Sequence, residues 1–387
     1  LNKPIILIVY EYFYPAYKAG GPIQSLMNLI KVLKNDYDFY VLTSAYDFGV
    51  QQPHTTIKIN EWNTVTLSNK DTYSVEVWYS NSLHLDKFTL LQIYNAVQPN
   101  FIYINGLYTS WCNTILRSQI HIKSTIILCP RGMLQQGALA VKPFKKKLYL
   151  LVFKLFGYFN NIVWHATNEE EKRDILNNIH KRAIIKVAGN IPKIPLQEIS
   201  KDYAKKANQL NLVYLSLITP KKQLHILLQT LLQCKSCITL DIYGPIKDEE
   251  YWLKCKLLIE KMPVNCTVNY CNDVQPNAVQ QTLQQYDAKI LLTKGENFGH
   301  ALYESLSVGT PIITSYFTAW NNLQSIQAGW NVDITNTTAI ASLLDTLAGY
   351  SAEQWAIYQS SALALAKTYY SNGNFTKFYK QLLSNNA

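Results

Sequence analysis

Apolar positions along the chain come in short runs set apart by stretches with helical spacing. Ile5–Tyr10, Phe39–Thr43, Phe101–Ile104, Thr125–Cys129, Ile162–His165 and Ile184–Val187 read as strands, with helices such as Ile23–Leu33 and Leu85–Val97 between several of them. The rhythm then restarts. Leu212–Ser216, Ile238–Tyr243, Cys266–Tyr270, Ala288–Leu292 and Pro311–Thr314 read as a second set of strands. Helices at Leu224–Leu232, Glu249–Lys261, Ala278–Gln285 and Ala301–Val308 separate them. Alternation of this kind predicts two parallel sheets, each covered by helices on both faces, and hence an α/β chain. The proline- and charge-containing stretch "GNIPKIPLQEISKDYAKKANQ" between the two sets reads as a linker. From about Ser351 the pattern predicts helix throughout.

Length supports the division: 387 residues at roughly 100–200 per domain make two domains. We place an N-terminal domain at 1–190 and a C-terminal domain at 195–367, with a last helix at about 368–387 packing back on the first. Open parallel sheets bind ligands outside the carboxyl ends of their strands. Two such domains facing each other would enclose a cleft, so strand-end loops are the place to look for chemistry.

Composition narrows the classes. No run of about 18 apolar residues is present, so no membrane span is expected. "PIILIVY" near the start is too short for one and reads as a first strand rather than a signal peptide. The net charge of +10 favours anionic partners. No basic-aromatic platform or helix-turn-helix pattern accompanies it, so nucleic acid is not expected as a partner. Seven cysteines, an odd number scattered over a long chain, fit a reducing cytoplasm. Cys234 and Cys237 form a lone C-x-x-C with no second pair at metal-site spacing, so no metal is expected.

Candidate chemistry concentrates in "GENFGHALYESLSVGTPIITS", where Glu296 and Glu304 have seven residues between them. Glu296 falls on a strand-end loop and Glu304 inside the following helix. Small loop residues leave backbone N–H groups at the helix start, where positive partial charge suits a phosphate. A carboxylate holds vicinal hydroxyls as a double acceptor. Gly20-Gly21-Pro22 opens another helix after the first strand, where glycine lets the backbone approach an anion. The spacing G-x-G-x-x-G is absent there, which argues against a nicotinamide dinucleotide. Arg131, before Gly132 at the end of strand Thr125–Cys129, could take a phosphate or an acceptor. His165 ends a strand and reads as structural or catalytic. "VKPFKKKLYLLVFKLFGYF" carries Lys142, Lys145, Lys146, Lys147 and Lys154 among apolar residues, and fits either a core helix with a charged first turn or a helix lying on an anionic membrane.

The stretch Gly295–Ser315 resembles the E-x7-E region of family 4 retaining glycosyltransferases of the GT-B fold, and "TAWNNLQSIQAGWNV" is similar to the segment that follows it in polysaccharide-biosynthesis members. "YPAYKAGGPIQSLMNLIKVL", "PRGMLQQGALAVKPFKKKLYL", "VWHATNEEEKRDI" and "LSLITPKKQL" resemble further family segments. The resemblance implies two Rossmann-like domains, a nucleotide diphosphate sugar (UDP or GDP type) as donor, no cofactor or metal, and a glycan or lipid-linked acceptor. It implies that Glu296 acts at the donor sugar and that Glu304 holds the ribose. Lys222 neutralises the leaving phosphates, and Gly20 and Gly21 approach the diphosphate. Lys221, Gly295, Asn297, Phe298, Gly299 and His300 line the donor. Arg131 joins the catalytic set, and Lys145, Lys146 and Lys147 meet the membrane or the acceptor. One position departs: Leu217 stands where the family has an arginine, and losing a cation from a partly desolvated phosphate site costs several kcal/mol of transition-state stabilisation. The expectation is a cytoplasmic retaining transferase, peripheral at the inner membrane face when bound there. A GT-B nucleotide-sugar epimerase and a non-catalytic nucleotide-sugar-binding subunit are the alternatives.

Overall fold

The computed structural model describes residues 3–67, 73–118, 121–199, 205–206 and 208–384. The chain divides into two units, Leu1–Ile191 with Gly373–Ala387, and Pro192–Asn372.

The first unit holds an eight-stranded sheet: β1 (Ile5–Val9), β2 (Asp38–Ser44), β3 (Trp62–Thr66), β4 (Ser74–Ser80), β5 (Phe101–Asn105), β6 (Thr125–Cys129), β7 (Ile162–Ala166) and β8 (Ile184–Val187). Their order across the sheet is β3-β4-β2-β1-β5-β6-β7-β8. Among the described residues only β3 runs antiparallel to its neighbour. The central strands are buried on both faces, so their sequences are continuous apolar runs such as "FIYIN", all five residues of which are buried. β1 pairs with β2 on one side and β5 on the other, with Leu7 opposite both Tyr40 and Ile102. The strand order reverses at β1, which makes the carboxyl ends of β1 and β5 the crevice of this sheet.

The second unit holds six parallel strands: β9 (Gln209–Leu215), β10 (Cys237–Tyr243), β11 (Cys266–Tyr270), β12 (Ala288–Leu291), β13 (Ile312–Ser315) and β14 (Gly329–Val332), ordered β11-β10-β9-β12-β13-β14. This is the doubly wound Rossmann order, with its switch point between β9 and β12. Leu212, Tyr214, Leu240 and Ile290 of the sheet pack with Leu302 and Leu306 of the helix His300–Leu306 in one core.

Several helices start where a short polar side chain caps a free N–H. Asp86 accepts from Thr89 N, Asn168 from Glu171 N, Asp248 from Tyr251 N and Asn336 from Ala339 N. The tail is not one helix. Ala352–Asn372 ends before Asn374, whose φ of 41° is left-handed, and Phe375–Leu382 follows as a separate helix. That last helix belongs to the first unit: Lys186 Nζ donates to Gln381 O and Ser384 O at 3.0 Å each, and Lys380 pairs with Asp36 at 2.6 Å. Three strands were not expected. β3 and β4 carry polar residues on one face, and β14 reads "GWNV", where a glycine and an asparagine interrupt the apolar run.

Candidate active site

The strongest constellation lies in the second unit at the switch point. After β9 the chain turns through Ser216–Thr219 to Lys221 and Lys222; after β12 it runs through Thr293–Phe298. Lys294 N donates to Lys221 O at 2.9 Å, and Thr293 Oγ1 to the same carbonyl at 3.4 Å, so the two loops are laced together. Glu296 N donates to Phe317 O at 3.0 Å, which ties in the loop after β13. In this frame Lys222 Nζ is ion-paired with Glu296 Oε1, both side chains being mostly buried. Burial pulls Lys221 below the usual lysine range; Glu296 opposes the shift and Lys222 adds to it.

The helix His300–Leu306 begins at Gly299, whose φ of 75° is left-handed and favours glycine. A Cβ there would come within 3.1 Å of Leu302 Cδ1, so the turn is tight as well. Glu304, inside the helix, pairs with Lys193 at 3.0 Å. Burial works to raise its carboxyl, but Lys193, Lys289 and His300 outweigh it and hold it below the usual carboxylate range. The two glutamates therefore have separate cationic partners, Lys222 for Glu296 and Lys193 for Glu304.

Phe298 does not offer its ring to a ligand. The ring is buried against His300, Tyr303, Trp320 and Tyr369, and Trp320 Nε1 donates to its carbonyl at 2.7 Å. It anchors the loop from behind, because an aromatic ring gains more by leaving water than by facing a polar donor. Gly295 lies near Lys221, whose Cε would be 3.8 Å from an added Cβ. Asn297 is carried between Glu296 and Phe298 on the same loop. Leu217 is half-buried in the loop after β9, and its carbonyl accepts from Tyr214 Oη at 3.1 Å.

Sequence reasoning missed two lysines here. Lys193 sits in the stretch read as linker, where nothing marks it as a partner of Glu304. Lys289 stands in the middle of β12, fully buried, with Nζ donating to Ala301 O at 2.7 Å. Burial, with Lys222 adding to it and Glu304 and Glu296 opposing, brings its ammonium down to about 7. A lysine within the apolar run "AKILL" was the available signal.

In the first unit, Gly20 has a left-handed φ of 84° and caps the helix Gly21–Leu33; a Cβ built on it meets no atom within 4 Å. Glu11, two residues beyond β1, is another residue the sequence reading passed over, and burial raises its carboxyl to about 7. Arg131 is engaged within the first unit. Its Nε donates to Asn105 Oδ1 at 2.8 Å, Nη1 to Asn190 Oδ1, and Nη2 to Tyr103 Oη at 3.3 Å. Burial would lower its guanidinium, but Cys129, Tyr103, Tyr379 and Glu171 hold it above the usual arginine value. The adjacent Gly132 N donates to Glu171 Oε1 at 2.6 Å, so a carboxylate braces the same turn. His165 is the core of this network. Its Nε2 must carry the proton given to Ala188 O at 2.7 Å, since a carbonyl only accepts; Nδ1 then accepts from Tyr103 Oη at 2.6 Å. Burial, with Arg131 nearby, drives the imidazole down to about 3, so it stays neutral. His165 is structural.

The lysine-rich segment forms the helix Pro143–Leu155. Leu150 and Phe153 face the core, while Phe144, Leu148, Leu151 and Leu155 are 87%, 62%, 53% and 75% exposed. Their spacing of 4, 3 and 4 residues makes one stripe. Lys145 and Lys147 are exposed beside it, but Lys146 is turned inward, donating to Ala138 O at 2.5 Å and lying 5.3 Å from the centre of the Tyr108 ring. No helix among the described residues is long and apolar enough to cross a membrane.

Comparison with known proteins agrees with the fold. Residues 196–347 match the family model described as glycosyl transferases group 1, a span that contains Lys221, Lys222, Glu296 and Glu304. No curated protein sequence matches the chain. Among solved structures, the chain is similar to HepE from Anabaena in complex with UDP and glucose (14% identity, 98% of each chain covered, TM-score 0.70). It is also similar to sucrose-phosphate synthase from Thermosynechococcus elongatus (14%, 98% of this chain and 99% of that, TM-score 0.71). A third similar structure is WaaG, a glycosyltransferase involved in lipopolysaccharide biosynthesis (10%, 98% of each chain, TM-score 0.64). At these identities the likeness defines the fold: two Rossmann-like parallel-sheet domains of the GT-B type.

Proposed function

We propose that this protein is a retaining glycosyltransferase that moves a sugar from a UDP- or GDP-type donor to a bacterial surface polysaccharide or lipid-linked glycan. The observation that carries the reading is the Lys222–Glu296 ion pair at the switch point of the second sheet, inside the segment matching group 1 glycosyl transferases. HepE bound to UDP and glucose supports a nucleotide sugar as donor, and WaaG supports a surface glycan as product.

In this reading the protein positions its substrates and stabilises charge rather than forming a covalent intermediate. Lys222, already fixed by Glu296, meets the charge that develops on the leaving diphosphate. Lys221 lies beside it with its charge partly desolvated, which strengthens its field on an anion. Glu296 accepts from hydroxyls of the transferring sugar. Glu304 accepts from the ribose diol, with Lys193 keeping it ionised. The acceptor attacks on the face that the diphosphate leaves, so the anomeric carbon keeps its configuration, and the departing phosphate takes the acceptor's proton.

The exposed stripe Phe144, Leu148, Leu151 and Leu155, flanked by Lys145 and Lys147, supports docking on an anionic membrane at the inner face, where a lipid-linked acceptor would be presented. Function in the cytoplasm, without metal or cofactor, belongs to the same proposal.

Leu217 and the internal engagement of Arg131 favour one second reading, a subunit that binds nucleotide sugar without turning it over. A thermal-shift screen of nucleotide sugars identifies the donor, because ligand at 100 times its Kd adds about 2.7 kcal/mol of stability. Release of free nucleoside diphosphate from the donor so identified, in the presence of a lipid extract or glycan acceptor, supports the transferase. A stabilising donor that is never consumed supports the binding subunit, and a donor converted to its epimer refutes both.

A further inference from the structure

A polar cavity of about 390 Å³ opens in the first unit, away from Arg131 and Gly20 in sequence. Asn60, Trp78, Ser80, Asn81, Asp86 and Gln92 are among its lining residues, with Ser82 and Thr89 beside them. Its chemistry is specific. Amides, hydroxyls and one indole surround it, and no lysine or arginine among the described residues lines it to pair with an anion. Its one carboxylate is fixed in place: Asp86 accepts from Thr89 N at 2.9 Å and from Thr89 Oγ1 at 2.6 Å. Asn81 Oδ1 accepts from Tyr46 Oη at 3.0 Å and Asn81 N donates to Asn60 Oδ1 at 3.0 Å, which fixes the rim. Trp78 is held in place by its edge contact with Trp62 and brings an aromatic ring to the wall.

Position adds a second line of argument. Ser80, Asn81 and Ser82 lie at and just past the carboxyl end of β4, on the same edge of the sheet as the residues after β1. β4 and β1 are separated only by β2, so at roughly 4.8 Å per strand the cavity is about 10 Å along that edge from the switch-point crevice.

We propose that this cavity is a binding subsite for a neutral saccharide, taking a sugar residue of the glycan acceptor beyond the one that reacts. A pyranose has hydroxyls for the amide and hydroxyl groups and an apolar C–H face for an indole, and it carries no charge that this wall would leave unpaired. The inference deepens the glycan-directed reading above and names where a growing chain is gripped.

Binding is measured on the full chain without donor, so that its failure is separable from failure of the transferase reading. Saturation-transfer NMR is recorded with maltotriose, cellotriose and chitotriose, and with inorganic phosphate as the anionic control. At least one trisaccharide is expected to receive saturation at millimolar concentration. Trp78→Ala, which removes the ring from the wall, and Gln92→Ala, on an exposed helix position, should each weaken it several-fold, and together at least tenfold. The affinity for free nucleoside diphosphate should not move, because neither residue belongs to the second unit. Saturation of none of the three trisaccharides, equal binding by wild type and both variants, or displacement of the sugar by phosphate would each overturn the assignment.

Discussion

The Lys289 ammonium donates to the Ala301 carbonyl at 2.7 Å from inside a strand with no access to solvent. A central strand of a parallel sheet is the costliest place for a lysine. What offsets the cost here is the helix above it. That helix brings a carbonyl in its first turn and the carboxylate of Glu304 to bear on one nitrogen. Glu304 is thus flanked by Lys193 near the surface and by Lys289 from below.

This arrangement gives a pH dependence of definite sign. Lys289 is brought down to about 7 in the folded protein, first by burial, against 10.5 for a free lysine side chain. Between those values the unfolded chain binds more protons than the folded one, so stability rises with pH across that window. Lys289→Met removes this contribution. Melting curves of both proteins from pH 6 to 9 should show the wild type gaining on the variant as pH rises, at up to about 1.4 kcal/mol per pH unit. Parallel curves would mean that Lys289 keeps its proton throughout.

Arg131 should act on stability rather than on the nucleotide. Its guanidinium donates to Asn105, Asn190 and Tyr103. Arg131→Met leaves Asn105 Oδ1 unpaired at roughly 1–3 kcal/mol, while Asn190 Oδ1 keeps Ser25 and Tyr103 Oη keeps His165. At about 2–4 °C per kcal/mol, the melting temperature should fall by several degrees. Affinity of the folded variant for free nucleoside diphosphate, read by calorimetry below the melt, should stay within about twofold. A loss of tenfold or more would return Arg131 to the binding site.

These two residues show where a sequence is legible and where it is not. The central strands announced themselves because burial on both faces demands unbroken apolar runs, as in "FIYIN" and "TIILC". Edge strand β3 and its neighbour β4 did not, since Glu76 and Thr64 lie on the solvent side and pair with each other at 2.6 Å across the ladder. The loop-then-helix setting of Glu296 and Glu304 could be read from Gly299 and the apolar spacing behind it. Their partners could not. Lys193 and Lys222 come from segments 111 and 74 residues away in sequence, and only the folded backbone brings them in. The surroundings of Arg131 were illegible for the same reason: which side chains a strand-end arginine meets, here Asn105 and Asn190, is set by the fold.

Leu217→Arg should restore a cation at the position that departs from the family pattern. The loop after β9 carries both Leu217 and Lys222, and Leu217 is only half-buried, so an arginine can be accommodated. An added charge-assisted hydrogen bond to phosphate is worth roughly 1.5–3 kcal/mol, or a tenfold or greater gain in affinity for the diphosphate. Calorimetric titration checks it. An unchanged Kd in a folded variant would show that the slot no longer faces the phosphates.

Membrane attachment should depend on both the stripe and its flanking charges. Phe144→Ser with Leu148→Ser removes two exposed apolar side chains from the helix Pro143–Leu155, and each is worth roughly 1.5–3 kcal/mol when it leaves water. Lys145→Glu with Lys147→Glu removes about 1 kcal/mol for each basic residue near an anionic surface, and the acids add repulsion. Lys146→Glu acts differently, because Lys146 is bonded to Ala138 O; its loss should lower the melting temperature. Sedimentation with vesicles containing 30% (roughly) anionic lipid should show weaker binding by the serine pair at any salt, and by the glutamate pair chiefly at low salt. Equal sedimentation of wild type and both pairs would remove the membrane from the proposal.

The two glutamates should separate nucleotide affinity from turnover. Glu304 is paired with Lys193 at 3.0 Å and kept ionised, so it is ready to accept from a diol. Glu304→Gln removes a charged acceptor worth roughly 1.5–3 kcal/mol and should weaken free nucleoside diphosphate and whole donor alike, by about tenfold or more. Glu296 is paired instead with Lys222, on the loop side of the helix start. If it acts at the sugar, Glu296→Gln should leave the Kd of the free nucleotide nearly intact and lower turnover, because contacts near the reacting carbon count most in the transition state. Its loss also frees Lys222, whose reach toward the phosphates is then unopposed, so a slight gain in nucleotide affinity is the expected side effect. Titration of both variants with free nucleotide, alongside single-turnover rates with the donor, decides the matter. Equal losses of affinity in the two variants, or none in either, would refute this division of labour.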